Sequence, residues 1–73
     1  MRLADLPRGA RARVRAVSTE ADAALHLREM GLRPGVIVRV VGIAAAGARI
    51  VAIGAARIAL DRATAQEIEA DPA

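Results

Sequence analysis

The chain has 73 residues, a formal net charge of +3 and 55% hydrophobic residues. A chain this short buries only roughly 60% of its unfolded surface. The expectation is therefore one small, marginally stable domain over residues 1–73, with no room for separate catalytic and regulatory parts. It has no cysteine and no aromatic residue, which excludes disulfides, thiolate nucleophiles, cysteine zinc sites and base-stacking platforms.

Residues 1–9 read as a lead-in. Leu3 and Leu6 are apolar, Pro7 blocks a helix and Gly9 permits a turn. From Arg11 to Val17, Arg11, Arg13 and Arg15 alternate with Ala12, Val14 and Ala16. That period of two predicts a half-buried strand with its arginines outward. Ser18 and Thr19 then open a helix, in which Thr19 and Asp22 match a capping box and Glu20 suits the helix dipole. Ala23, Leu27 and Met30 share one face of that helix, and Leu25 lies opposite. Gly31 is placed to end it. With Gly31 at the left-handed position, Leu27 and Leu32 meet as the apolar pair of a Schellman motif. Arg33-Pro34-Gly35-Val36 fits a type II turn, with proline and glycine in its two central positions.

Val36–Val41 is apolar on both faces except for Arg39 and predicts a central strand. Gly42 and Gly47 bracket an alanine-rich loop, and Arg49–Ile53 predicts a third strand. Gly54-Ala55-Ala56 turns the chain into a fourth over Arg57–Leu60, with Ile58 and Leu60 inward. Asp61 caps a short turn over Arg62–Ala65, and residues 61–70 fit a full helix as well by pattern. Ile68 is the last apolar anchor.

The N-terminus has no apolar core after its positive charge, so it is not a signal peptide. Residues 40–60 are mostly apolar, but they include Arg49 and Arg57. Each arginine costs roughly 2.5–3.5 kcal/mol at a membrane centre, and alanine and glycine supply little to offset it. Strands are expected there rather than a membrane helix, and the cytoplasm is the expected compartment for a small domain without disulfides. The sum is an all-β fold. About five short strands close as a small barrel, with one helix between the first and second.

Leu3-x-x-Leu6-x-x-Gly9, then Leu27-Arg28-Glu29-Met30-Gly31-Leu32-Arg33-Pro34-Gly35, then Ile58-Ala59-Leu60 with Ala65 and Ile68, together resemble the FeoA family of small bacterial proteins. The resemblance covers nearly the whole chain, and its most specific part is Met30-Gly31-Leu32-x-Pro34-Gly35. It implies an SH3-like barrel and a non-enzymatic accessory role in ferrous iron uptake. The implied partner is FeoB, a membrane permease with a cytoplasmic G-protein domain. It also implies kinship with the C-terminal unit of metal-dependent repressors. Two positions depart from the family pattern. Ala44-Ala45-Ala46-Gly47 replaces a loop that often holds proline and aspartate, and His26 stands where a basic residue precedes the helix leucine. The matching residues Leu27, Met30, Gly31, Leu32, Pro34 and Gly35 are structural by their physics.

Three sets of residues are candidates for chemistry. Asp22, His26 and Glu29 fall at i, i+4 and i+7 on one helix face and carry donor types that bind transition metals. A solvated ion pair is the plainer account, and no cofactor is expected. Arg11, Arg13 and Arg15 form a positive stripe that suits an acidic protein patch. A nucleic acid or another anion is the alternative, and the lack of lysine and aromatics weighs against nucleic acid. Leu25, beside Arg28 and Glu29, is an apolar point among charges on an exposed face, a form that partner contacts take. There is no lysine and hence no phosphate loop of the Walker type, and the single serine, Ser18, is read as a cap. The chain is therefore expected not to be an enzyme. Unpaired sheet edges leave room for homo-oligomers.

Overall fold

The structure is a computed structural model and describes residues 1–73. Five antiparallel strands form one sheet: β1 (Arg11–Val17), β2 (Ile37–Ile43), β3 (Arg49–Ile53), β4 (Ala56–Leu60) and β5 (Ile68–Pro72). Their order is β4-β3-β2-β1-β5. Helix α1 (Ala21–Glu29) lies between β1 and β2, and a short helix α2 (Arg62–Gln66) lies between β4 and β5. Two 3-10 turns, Leu3–Asp5 and Ala45–Gly47, complete the chain.

The alternation of β1 is realised as read. Ala12 and Val14 are buried while Arg11, Arg13 and Arg15 are exposed. A bulge displaces the β1–β5 register between Val14 and Ala16, which leaves Arg15 as the extra residue and re-aims its side chain. β2 is central, but only Val38 and Val40 of it are fully buried and Arg39 points to solvent. A second bulge between Val40 and Gly42 shifts the β2–β3 register. The two-residue turn Gly54-Ala55 closes the β3–β4 hairpin from Ile53 to Ala56, with Gly54 at φ 57°.

The core gathers on one face of the coiled sheet. Leu3, Leu32, Ile68, Val14, Val38, Val40 and Val51 are its largest fully buried side chains. Leu3 and Leu6 lie on a segment that pattern alone reads as a lead-in, and both belong to this core. The ladder itself leaves β4 and β5 as edges. The N-terminal 3-10 turn and α2 pack against each other to finish the barrel. Arg49 ties this closure together. Its guanidinium donates to the carbonyls of Ala4, Leu6 (3.1 Å) and Gly47 (2.7 Å), groups that would otherwise lack partners in a partly buried corner.

The glycine-stopped helix is present in full. Leu32 N–H donates to the Leu27 carbonyl and Gly31 N–H to the Arg28 carbonyl, both at 2.9 Å. Gly31 has φ 98°, so the pair is a Schellman motif. Val36 N–H donates to the Arg33 carbonyl at 3.2 Å across Pro34 and Gly35, with Gly35 at φ 95°.

One expectation is corrected and one open choice is decided. The helix N-cap is Glu20, with no side-chain cap bond. Thr19 and Asp22 form no capping box because the Thr19 hydroxyl turns to the Glu20 carbonyl. Of the two readings open for residues 61–70, the short turn capped by Asp61 is the one formed, not the full helix. Asp61 Oδ1 accepts from Thr64 N–H at 2.7 Å, α2 stops at Gln66, and Ile68 opens the strand that pairs with β1. A period of two over three apolar positions, Ile68, Ala70 and Pro72, is too short to be told from a helix by pattern.

Candidate docking site

Helix α1 is held to the barrel by one buried side chain, Leu27, with Ala23, Ala24 and Met30 half-buried. Leu25 projects away from that contact and is 55% exposed. Arg28 and Glu29 are exposed beside it in sequence. The helix therefore presents one apolar side chain among charges to solvent.

The structure does not bring Asp22, His26 and Glu29 together. No group of three or more histidine or acidic side chains in the chain could hold a metal ion. The physical reason is the helical rise: positions i and i+7 are separated by about 10 Å along the axis, more than one ion spans.

The arginine stripe is divided. Arg15 reaches Glu69 (3.2 Å) and Asp71 (3.8 Å) on β5. Arg13 donates to the Gly35 carbonyl at 3.0 Å. Arg11 has neither kind of partner, and the register sets it opposite Arg39 of β2. Arg39 in turn lies opposite Ala52, and Ala52 opposite Arg57. A basic row thus crosses four strands from Arg11 through Arg39 to Arg57, all three exposed. Arg39 and Arg57 belong to this face by register, which spacing along one strand cannot show.

Glu69 is the acidic centre of the opposite edge. The amino terminus of Met1 hydrogen-bonds to it, and Arg15 adds to that, so its carboxyl titrates below its ordinary range. Asp61 is likewise lowered by the bond from the Thr64 N–H.

A groove of about 520 Å³ runs between α1 and β4, closed at one end by α2. Ala23, Leu27 and Met30 form one wall, Arg57–Leu60 the other, and Asp61 and Thr64 the end. His26 lies on its rim instead of in a ligand set. Pattern reading missed this groove, since its walls are separated by some thirty positions in the chain.

Comparison with known proteins gives a consistent picture. The family model described as the FeoA domain matches residues 1–72. A FeoA from Stenotrophomonas maltophilia, solved with zinc, is 32% identical. The alignment covers 97% of this chain and 89% of that one, with a TM-score of 0.78. That protein is described as a prokaryotic SH3-domain protein and a candidate activating factor of ferrous iron transport. FeoA from Chlorobium tepidum is 27% identical over 99% of this chain and 70% of that one, with a TM-score of 0.92. A manganese-dependent transcriptional repressor shares the fold at a TM-score of 0.90 and 23% identity, over 100% of this chain and 41% of the repressor. No curated protein sequence matches the chain.

Proposed function

Because the chain belongs to the FeoA domain family, which is associated with ferrous iron transport, we propose that it is a non-enzymatic accessory protein that docks on the cytoplasmic part of the FeoB permease. The observation that carries this reading is α1, a helix fixed by one buried leucine that offers Leu25, Arg28 and Glu29 to solvent. An apolar side chain with a rim of charged groups has the arrangement of an interface, a dry centre with a polar margin. Arg11 and its row add a positive field that steers an acidic partner surface.

Binding of this kind acts by population. A barrel that prefers one state of the permease or its G-protein domain shifts the equilibrium toward that state, by no more than its difference in affinity for the two. No helix of the protein is long and apolar enough to cross a membrane.

The test is a binding titration of the FeoB cytoplasmic domain against the wild type and Leu25→Glu. Truncated or charged hot-spot residues lose on the order of tenfold or more in affinity. Equal affinities would remove α1 from the interface. A second reading, binding of nucleic acid or another anion by the basic row, is separated by salt: its affinity falls steeply with ionic strength.

A further inference from the structure

The two edges of the sheet are treated differently. At β5, Ala70 N–H donates to the Met1 carbonyl at 2.7 Å, Arg2 forms an antiparallel bridge with Glu69, and Pro72 has no N–H to offer. That edge is covered or blunted along its length. At β4 nothing comparable occurs. The turn at Gly54-Ala55 makes Ile53 and Ala56 a hydrogen-bonded pair, so the bonded positions of β4 are Ala56, Ile58 and Leu60. The N–H and C=O groups of Arg57 and Ala59 face outward, and no main-chain or side-chain group of the protein bonds to them from that side.

Those free groups border the groove beneath α1. An extended residue in a packed sheet occupies about 160 Å³. A groove of about 520 Å³ therefore accommodates roughly three such residues, the span over which β4 has free main-chain groups. Its two walls face each other with apolar side chains (Leu27 and Met30 against Ile58), and Arg57, exposed and without an acidic partner, stands on the outer face of the same edge.

We propose that the β4 edge is a strand-addition site for an extended peptide segment of alternating apolar and acidic residues. The main chain of the segment bonds to Arg57 and Ala59. Its apolar side chains enter the groove against Leu27, Met30 and Ile58. Its carboxylates lie outside beside Arg57, in the field of Arg39 and Arg11. This mode draws affinity from main-chain bonds and specificity from alternate side chains. It needs no aromatic groove, which this protein could not build. The site is independent of the surface around Leu25.

The test uses the full chain, labelled with nitrogen-15, and a capped hexapeptide of alternating valine and glutamate. Amide shifts are expected at Arg57–Leu60, Ala23, Leu27 and Met30, with slowed exchange of the Arg57 and Ala59 amides. A valine–lysine peptide should bind about fivefold more weakly, and Arg57→Glu should reverse that preference. Ala59→Pro deletes an outward N–H without touching the β3 ladder, so it should abolish binding while the spectrum stays folded. If that variant unfolds, a peptide N-methylated at alternate residues does the same from the other side and should not bind. The proposal is overturned by equal binding of the methylated peptide, by shifts confined to the outer arginine face, or by no shifts at millimolar peptide. Concentration-dependent shifts at β4 without peptide would also overturn it, because they would assign the edge to a second copy of the chain.

Discussion

The barrel has a locked side and an open side. On the locked side, the N-terminal turn, α2 and β5 interpenetrate: Leu3, Leu6, Ala65, Ile68 and Ala70 are all buried, Arg49 clamps the Ala4 and Leu6 carbonyls, and Met1 covers the β5 edge. On the open side, Leu27 is the one buried side chain of α1, helped by half-buried Ala23, Ala24 and Met30, a groove separates the helix from β4, and two pairs of main-chain groups have no partner. The difference teaches where a minimal barrel can spend its limited core. Closure is concentrated where the chain ends meet, and the inserted helix is left free to present a surface.

The largest effect should come from truncating the locked side. Leu3→Ala removes a fully buried side chain and is expected to cost about 2–5 kcal/mol. A domain of this size has about 4–11 kcal/mol in total, so urea unfolding should show loss of about half of its stability. Leu27→Ala removes a similar volume, yet it should mainly speed amide exchange within α1 and spare the sheet. Equal global costs would break the distinction between the two sides. Next is Arg49→Ala. It orphans carbonyls in a partly buried corner and should cost about 2–3 kcal/mol. Arg49→Lys should recover only part of that in the same urea experiment, because an ammonium cannot reproduce the fork of the guanidinium.

The smallest effect is that of pH. The Glu69 carboxyl is held below its ordinary value of 4.5 in the folded chain, with Asp61 held below 3.8. Both groups therefore bind protons more readily when unfolded. Their contribution is complete above those values and is lost as pH falls through the lowered folded ones. Unfolding midpoints should be flat from pH 7 to about 5 and decline below. Glu69→Gln should flatten part of the decline. Since Glu69 serves the locked edge, this loss should appear at β5 before α1.

Much of the fold is legible in the residues. The arginine alternation of β1, the Gly31 stop and the Pro34-Gly35 corner are local signals, each needing only a few neighbouring positions. What stayed hidden is non-local. Leu3 and Leu6 are core because a distant helix, α2, packs on their turn. The strand at Ile68 exists because β1 offers it a ladder. The basic row exists only once register sets Arg39 and Arg57 in line with Arg11. The exposure of Leu25 is legible, since it follows from spacing on a helical wheel, whereas the groove beside β4 joins segments that no window of sequence contains.

Native-state amide exchange, resolved by residue, tests the open-side account most directly. It predicts alternation within β4, with Ile58 and Leu60 protected while Arg57 and Ala59 exchange close to the rate of an unfolded chain, and it predicts that Ala70 on the covered edge exchanges slowly. Uniform protection along β4, or exchange at Ala70 as fast as at Ala59, would contradict it.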